Sequence, residues 1–450
     1  MRWLEAARIL FVLLLVTTAR NVRAEDWPQF RGPTGQGHAI AKDVPLRWGE
    51  SENIAWKVPI VGRGWSSPVV LGEQIWLTTA IETEASLEEI QRAVERVGAP
   101  VPNPYVAGQV TLKAVCVDRD SGRILHDVTL FEVDEPVVLN TLNSYASPTP
   151  VAGAGRIYCD FGAMGTACVD AATGRILWSR CLPIEHQVGP GSSPILYGDT
   201  LILTRDGCDQ QYITALDKAT GRAVWKTARP PHDTPVMVYR KAFTTPLVFE
   251  NDGTDQMVAV GAQWIVSYDP ATGKERWRVD TGPTFSNASC PAYGDGMVYA
   301  CTAYGGTGMF AVRTDGRGDV TDTHVAWKLQ RSTPRRTSPL LVGGRLYLVS
   351  EQGVASCVDA RTGEVYWSER LDGAYSASPI YAVGRVYFFG ENGTTTVVQP
   401  GDSCQIVAEN HVDGRIMATP AFVDRSIILR TDTHLYQIEQ HTPRIVVQDK

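Results

Sequence analysis

One repeated pattern constrains the fold of this chain more than any other feature, an Asp-x-x-Thr-Gly-x-x-x-Trp frame. Four copies begin at Asp170, Asp217, Asp269 and Asp359, and a fifth, from Asp118, ends in His instead of Trp. In each copy the Asp side chain can cap a turn through local hydrogen bonds, and the Gly supplies the positive φ that a tight hairpin needs. The frame therefore predicts a hairpin between two short strands, repeated along the chain.

A second repeated feature is a small residue followed by proline, just before an apolar strand. Successive prolines of this kind lie 80, 46, 52, 45, 48, 40 and 41 residues apart. Proline fits where a strand needs no ladder N–H, and four short strands per unit match the period of propeller blades. The sequence therefore predicts an all-β, eight-bladed β-propeller of four-stranded blades. The pairs are Ser67-Pro68, Ser147-Pro148, Ser193-Pro194, Thr245-Pro246, Cys290-Pro291, Ser338-Pro339, Ser378-Pro379 and Thr419-Pro420.

The two ends of the chain predict how the ring closes. The last repeat lacks a fourth strand, whereas the segment 53–60 near the front reads as a spare one. We expect this segment to complete the last blade, which leaves no sheet edge open. We also expect one Trp per repeat to wedge between neighbouring blades and bury a large area. The predicted structural anchors are Trp56, Trp178, Trp225, Trp277, Trp327 and Trp367.

The 80-residue gap in the first repeat predicts an inserted element. Within residues 84–97, Leu87, Ile90, Val94 and Val97 recur at helical spacing beside Glu and Arg residues. This spacing predicts a short amphipathic helix on one rim of the ring. The insertion is interpreted either as a surface excursion or as an element that contacts a partner.

Residues 1–24 have the layout of a secretory signal peptide. Arg2 and Arg8 precede the apolar run 9–16, and Ala24 stands before the expected cleavage site. The run is too short to span a bilayer comfortably, and the first cysteine is Cys116, so a lipid-anchored lipoprotein is not expected. The sequence predicts one domain over residues 25–450, periplasmic or secreted, without stable membrane insertion after cleavage.

The net charge bears on whether the chain binds nucleic acid. The formal net charge is −7, and it becomes −10 without the signal segment, which carries four Arg and one Glu. An acidic chain without a basic run argues against nucleic-acid binding.

The nine cysteines leave at least one thiol free. Two interpretations of the other cysteines are open. One is a hairpin disulfide between Cys159 and Cys168 or between Cys290 and Cys301; the other is that they are buried free thiols.

The residues just before each blade proline are candidates for ligand contact at the channel mouth. Aromatic rings beside Arg and Asn side chains suit a sugar or a carboxylate. The alternative is that these side chains plug the channel by packing on one another. The candidates are Trp65, Tyr145, Asn287, Arg335, Arg336 and Tyr375.

Motifs that carry chemistry are missing from the sequence. It has no HExxH pair, no GxSxG elbow, no P-loop and no CxxC pair. We therefore predict no catalytic residue, no metal ligand and no cofactor.

Three segments resemble a known family. The segments 26–33 (DWPQFRGP), 53–57 (NIAWK) and 65–68 (WSSP) resemble exported pyrroloquinoline-quinone (PQQ)-like propeller proteins of planctomycete-type bacteria. The hairpin frames are similar to the tryptophan-docking repeat of PQQ-dependent dehydrogenases, and the simple blades are similar to the outer-membrane assembly factor BamB. The resemblance implies the propeller fold over nearly the whole mature chain.

The resemblance implies three alternative functions. The first is a non-catalytic, monomeric scaffold that presents its rims and channel mouth to an envelope protein or a small ligand. The second is a PQQ-dependent quinoprotein dehydrogenase, which would need an adjacent Cys-Cys pair, a Ca²⁺ bound by oxygen ligands and an Asp base. No two cysteines are adjacent, and no motif places the other groups. The third is a sensor of glycans or small molecules at the channel mouth.

Overall fold

Eight antiparallel sheets form a closed ring in a computed structural model that describes residues 26–440. This architecture confirms the predicted eight-bladed, all-β propeller. The signal peptide predicted at residues 1–24 lies outside the described residues and stays a prediction. Between residues 26 and 440, no helix has the length and apolar character needed to cross a membrane.

Each blade contains four antiparallel strands in sequential order, except the last, whose fourth strand comes from the front of the chain; in blade 4 the short strand Gly318–Asp319 adds a fifth, parallel to the fourth. The first strands of neighbouring blades approach one another, so they line the channel. Blades 1 to 4 consist of Val69–Leu71, Gln74–Glu84, Ala107–Asp118 and Ile124–Val133; Val151–Gly153, Arg156–Asp160, Thr166–Asp170 and Ile176–Arg180; Ile195–Tyr197, Thr200–Asp206, Gln211–Asp217 and Ala223–Ala228; Leu247–Asn251, Thr254–Val260, Trp264–Tyr268 and Glu275–Asp280. Blades 5 to 8 consist of Ala292–Gly294, Met297–Thr302, Gly308–Arg313 and Val325–Leu329; Leu340–Val342, Arg345–Val349, Val354–Asp359 and Val365–Arg370; Ile380–Ala382, Arg385–Phe389, Thr394–Gln399 and Gln405–His411; Ala421–Val423, Ser426–Arg430, His434–Glu439 and Ile54–Pro59.

The ring has two distinct faces because antiparallel strands alternate in direction. The turns between second and third strands lie at the same end as the links between blades, and together they form the upper face. The turns between first and second strands and between third and fourth strands form the lower face. The strand order in every blade follows this alternation.

The seam of the ring is closed as the sequence predicted. Ile54–Pro59 pairs antiparallel with His434–Glu439, with Lys57 opposite Tyr436. The Trp56 ring lies against Gly122 of blade 1. Blade 8 is therefore completed by a segment almost 400 residues away in sequence, and its contact with blade 1 uses the same Trp–Gly packing as the other blades.

This packing repeats between blades. The Trp178 ring lies against Gly221 of the next blade, where a Cβ would come within 2.7 Å of the ring, and its Nε1 donates a hydrogen bond of 3.1 Å to the Lys218 carbonyl. Trp277 differs, because its Nε1 donates to Gln256 at 3.0 Å within its own blade. Ring–glycine contacts or indole bonds to the next blade are also made by Trp56 (Gly122), Trp225 (Gly273), Trp327 (Gly363) and Trp367 (Gly401).

The Trp–Gly contact at the seam makes a measurable prediction. We expect Gly122→Ala to lower the free energy of unfolding by about 1–3 kcal/mol more than Gly384→Ala, because only the first Cβ would overlap a tryptophan. Both glycines have the same positive φ, 70° and 71°, but a Cβ at Gly122 would come within 2.8 Å of the Trp56 ring, whereas Gly384 faces open space. Urea unfolding followed by tryptophan fluorescence measures both; equal losses would contradict tight docking at the seam.

A chain of hydroxyl groups links the first strands around the channel. At six of the eight blade-to-blade steps, the N–H of the small residue before the blade proline donates to the matching hydroxyl of the next blade at 2.9–3.0 Å. In blade 2 this residue is Thr149, before Pro150, and not the predicted Ser147. The sequence Ser-Pro-Thr-Pro offers two candidates, and only the second directly precedes a strand. The bonds found in residues 26–440 join Ser67 to Thr149, Thr149 to Ser193, Ser193 to Thr245, Cys290 to Ser338, Ser338 to Ser378 and Ser378 to Thr419.

The insertion in blade 1 contains a helix at Leu87–Val97, within the segment where the spacing predicted one. Its N-terminus is a complete capping box, in which Ser86 and Glu89 satisfy each other's backbone N–H groups, and Gly98 ends it in the left-handed region. The insertion rises from the upper face, where a pairing of Pro104–Tyr105 with Leu139–Asn140 braces it. The other short elements are Gly318–Asp319, Thr321–His324, and the single turns Gly162–Met164 and Met237–Tyr239.

Residues 26–42, here named the axial plug, run along the first strands at the lower face. Trp27 and Arg31 of the plug are fully buried. The Arg31 Nη2 atom donates to the carbonyls of Pro339 (2.7 Å) and Gln36 (3.0 Å). The segment that carries the family resemblance at residues 26–33 is therefore a structural part of the channel.

The nine cysteines are free thiols in the structure, and all lie within the described residues. Neither disulfide considered from the sequence is formed. Strand register explains the first case: Cys159 lies opposite Ala167 and Cys168 lies opposite Tyr158, so the two side chains point to opposite faces of the sheet. Cys290 and Cys301 are buried.

Candidate functional site

Three of the predicted channel-mouth residues are buried inside the ring. Tyr145, Asn287 and Tyr375 have no exposed surface. The Tyr145 hydroxyl accepts a hydrogen bond of 3.1 Å from the Ala107 N–H. The Asn287 amide donates to the Gly261 carbonyl at 2.7 Å and accepts from the Ala303 N–H at 2.7 Å. These side chains are held by the fold, so no ligand reaches them in this conformation.

The other three predicted residues lie at the upper face and are partly exposed. The Trp65 ring lies beneath the Arg63 guanidinium, with 5.5 Å between the guanidinium carbon and the ring centroid. The N–H groups of Arg335 and Arg336 both donate to Glu351, at 2.5 and 2.7 Å. The structure therefore places Arg335 and Arg336 side by side, and Trp65 with blade 1.

A row of aromatic side chains crosses the upper face next to Arg335. It consists of Tyr239, Phe285 and Tyr304, here named the aromatic row. The ring centroids of Tyr239 and Phe285 are 4.5 Å apart, and those of Phe285 and Tyr304 are 5.8 Å apart. The Arg335 guanidinium carbon lies 5.2 Å from the Tyr304 centroid. The row therefore joins loops of blades 3 to 6 into one surface.

Backbone bonds hold the aromatic row in place. Phe285 and Tyr304 exchange N–H···O bonds of 3.0 and 3.2 Å, and the short turn Met237–Tyr239 presents Tyr239. Tyr304 is 49 % exposed and Met237 is 51 % exposed. Sequence reasoning missed this row because its members come from separate links and turns. The exposed Tyr and Met in links otherwise rich in Pro, Thr and Gly were the available signal.

A charged cluster continues the surface towards blade 8. Glu391 forms an ion pair with Arg415 and lies 3.6 Å from Arg336, and it accepts a hydrogen bond of 2.6 Å from Ser376. Burial raises the pKa of Glu391, but the bonds from Ser376 and Arg415 outweigh burial, and the pKa is lowered. Arg336 and Arg415 therefore share the Glu391 carboxylate, and the Glu351 carboxylate lies close by, so the cluster beside the aromatic row carries charges of both signs.

Two buried ion pairs stiffen blades 2 to 4 beneath the upper face. Arg205 binds both oxygens of Asp160, at 2.6 and 3.1 Å. Arg229 binds Asp206 at 2.7 Å and donates to the Tyr268 hydroxyl at 3.2 Å. Such bidentate pairs fix side-chain geometry strongly when water is excluded. The loops that carry Tyr239 and Phe285 therefore rest on a rigid base.

One requirement of a PQQ-dependent dehydrogenase is a Ca²⁺ held by oxygen ligands, carboxylates among them. No group of three or more His, Cys, Asp or Glu side chains in residues 26–440 is placed to hold a metal ion. The tyrosine and asparagine side chains at the upper end of the channel are buried within the fold.

One protein-family model matches the second half of the chain in part. A family model described as outer membrane protein assembly factor BamB matches residues 209–338 and 319–417. A search among curated proteins finds no match.

Solved structures show the same architecture at low identity. BamB from Moraxella catarrhalis is 15 % identical, with a TM-score of 0.57 over 86 % of this chain and 98 % of that chain. A europium-containing methanol dehydrogenase is 11 % identical, with a TM-score of 0.62 over 91 % and 90 %. The quinohemoprotein alcohol dehydrogenase from Comamonas testosteroni is 11 % identical, with a TM-score of 0.61 over 94 % and 82 %. The family match over residues 209–417 and the ring of eight blades make the chain similar to PQQ-like β-propeller proteins.

Proposed function

We propose that the chain is a non-catalytic propeller of the cell envelope that binds a protein partner through the aromatic row. The observation that carries the proposal is the continuous contact of Tyr239, Phe285 and Tyr304 on an exposed face. Protein interfaces are enriched in Tyr, Phe, Met and Arg, and their binding energy concentrates in a few such side chains. A rigid row of rings loses little conformational entropy on binding.

The surroundings of the aromatic row support a protein partner. Val236 and Met237 add exposed apolar surface at one end, and Arg335 adds a cation at the other. Blade 1 supports the same face, because its second and third strands have 11 and 12 residues and carry the inserted helix above the ring. The aromatic row and the raised insertion of blade 1 share the upper face, and a broad face of this kind suits a polypeptide better than a small solute.

The envelope location and the class of partner rest on the family. The matching family is described as an outer membrane protein assembly factor, and the sequence predicts export. The partner proposed here is therefore a protein of the envelope, bound by a monomeric propeller whose role is to hold it.

Site-specific photocrosslinking in the native host tests the proposal. A photoreactive phenylalanine analogue at position 304 is expected to crosslink a discrete envelope protein. The same analogue at position 366 is the control, because Tyr366 is also exposed but lies on an outer strand, away from the upper face. Equal crosslinking at both positions, or none at 304, would refute the assignment of this face.

A pair of substitutions sharpens the test. With the crosslinker at Met237, the double variant Tyr239→Ser/Tyr304→Ser is expected to lower the crosslinked yield at least tenfold, because two anchor rings are lost. Tyr366→Ser is the matched control. All three tyrosines are more than a third exposed, so each substitution should cost no more than about 1.5 kcal/mol, the contribution of a lost ring contact or hydroxyl bond, and urea unfolding of each variant checks this. Loss of yield can then be assigned to binding.

A further inference from the structure

A cavity of about 450 Å³ lies at the lower face, opposite the aromatic row. It is enclosed between the axial plug and the first strands of blades 3 to 5. Phe30 and Gln36 of the plug line one side, and Leu196, Val248 and Glu250 line the other. The hydrogen bonds between the plug and the first strands of the other blades explain which backbone groups this cavity presents.

Each first strand turns into the second through a two-residue loop. The residue two positions before that loop sits in a non-hydrogen-bonded pair, so its N–H and C=O point away from the second strand and towards the channel. In blade 1 this residue is Val70, which exchanges bonds of 2.9 and 3.0 Å with Trp27 of the plug. In blade 7 it is Tyr381, which accepts from Ala39 at 2.9 Å and donates to Gly37 at 2.8 Å. The plug therefore pairs with inner strand edges.

The plug reaches three more blades at the equivalent residue. In blade 2 the Ala152 N–H donates to the Pro28 carbonyl at 2.7 Å. In blade 5 the Tyr293 N–H donates to the Gln36 side chain at 2.7 Å. In blade 6 the Leu341 carbonyl bonds to His38 Nε2 at 2.7 Å. Five inner edges thus bind the plug, three through the plug backbone and two through its side chains.

The equivalent residues of blades 3 and 4 are Leu196 and Glu250. In the described part of the chain, neither makes a backbone hydrogen bond to the plug. Val248, the next non-hydrogen-bonded position of blade 4, is oriented in the same way. All three line the cavity. The cavity therefore presents strand-edge N–H and C=O groups, which are a template for an added extended segment.

The walls of the cavity define the chemistry of an occupant. Phe249 and Tyr293 stack with their centroids 3.8 Å apart and offer an apolar surface. Glu250 is the one charged side chain among the residues that line the cavity. No Lys, Arg or His lines the cavity to neutralise the Glu250 carboxylate, so this carboxylate favours an occupant with a positively charged group.

We propose that this cavity binds a short extended peptide that carries a lysine or arginine. Its backbone pairs with the inner edges of blades 3 and 4, as the plug pairs with blades 1 and 7, and its basic side chain reaches Glu250. This site goes beyond the proposed partner surface, because it lies on the opposite face and uses backbone pairing where the aromatic row uses side-chain rings.

Calorimetric titration of the mature protein with three blocked tripeptides tests the proposal. Acetyl-Val-Lys-Val-amide is expected to bind saturably, at least tenfold more tightly than acetyl-Val-Glu-Val-amide. A version of the lysine peptide with methylated backbone nitrogens should lose at least tenfold in affinity, because it cannot donate to the strand edges. Absence of saturable binding by the lysine peptide at millimolar concentration, or equal binding of the methylated peptide, overturns the proposal.

Matched variants place the binding at the cavity. Glu250→Gln keeps an oxygen for the Gly253 N–H that Glu250 binds and should weaken the lysine peptide about tenfold. Asp199→Asn removes a carboxylate of the neighbouring blade 3 turn that does not line the cavity, and should change affinity less than twofold. Equal effects of the two variants overturn the assignment to Glu250. Tyr304→Ser at the upper face should leave peptide affinity unchanged, so this test and the photocrosslinking test can fail separately.

Discussion

Asp160→Ala is expected to lower the free energy of unfolding by about 3–5 kcal/mol, the cost of leaving a buried charge without its partner. Asp160 and Arg205 are each only 1 % exposed. The carboxylate accepts both bonds from Arg205 and one of 2.6 Å from the Thr166 hydroxyl. Removing the carboxylate leaves the guanidinium in a dry site between blades 2 and 3.

A double variant distinguishes lost pairing from lost packing. Asp160→Leu/Arg205→Met replaces both charges by apolar side chains, and such replacements are often neutral or stabilising. We expect it to recover most of the stability that Asp160→Ala loses. Urea midpoints from tryptophan fluorescence give the comparison. A loss below about 1 kcal/mol in Asp160→Ala would show that water reaches Arg205. It would also show that this ion pair does not hold the loops under the aromatic row rigid.

The repeat predicted the fold well because its information is local. Each Asp-Thr-Gly frame specifies a hairpin through bonds within a few residues, as when Asp217 caps Thr220 at 2.8 Å. In most blades a Trp at a constant place then meets a glycine of the next blade, and Trp277 is an exception. Closure by residues 53–60 was also predictable, because one strand was missing at one end and spare at the other.

The candidate site was predicted less well because exposure is decided by non-local contacts. Tyr145 and Tyr375 precede blade prolines, as expected for the channel mouth, but neighbouring loops cover them. The aromatic row brings together links and a turn from blades 3 to 6, and no spacing in the sequence connects them. The role of the plug was hidden for the same reason, since its partners are spread over the whole chain.

His186 should make the propeller sensitive to mild acid. The side chain is buried in the upper face beside Arg205, and burial lowers its pKa to about 3. Its Nε2 accepts a hydrogen bond of 2.9 Å from the Ala163 N–H, so the ring proton is on Nδ1, which has no partner within the described residues. The folded state therefore holds His186 neutral.

The sign of the pH effect follows from where the proton binds. Well above pH 6.5 the imidazole is neutral in both states, and the contribution of His186 to the stability of the fold is fully present. Between pH 6.5 and 3 the unfolded chain binds a proton that folded His186 refuses, so the free energy of unfolding falls as the pH falls. The slope from this one group approaches about 1.4 kcal/mol per pH unit.

Urea unfolding of the native chain and of His186→Gln at pH 7, 6, 5 and 4 measures this contribution. Glutamine keeps an oxygen that can accept the Ala163 N–H but takes up no proton, and subtracting the two curves removes the titration of the carboxylates. We expect the stability of the native chain relative to the variant to fall by about 1–1.4 kcal/mol per pH unit below pH 6. Parallel curves would mean that the ring is protonated in the fold. His186 lies beside Arg205, so a proton on its ring would repel the Arg205 guanidinium. The loss of stability in acid and the loss in Asp160→Ala therefore have the same physical origin, an unbalanced positive charge beneath the upper face.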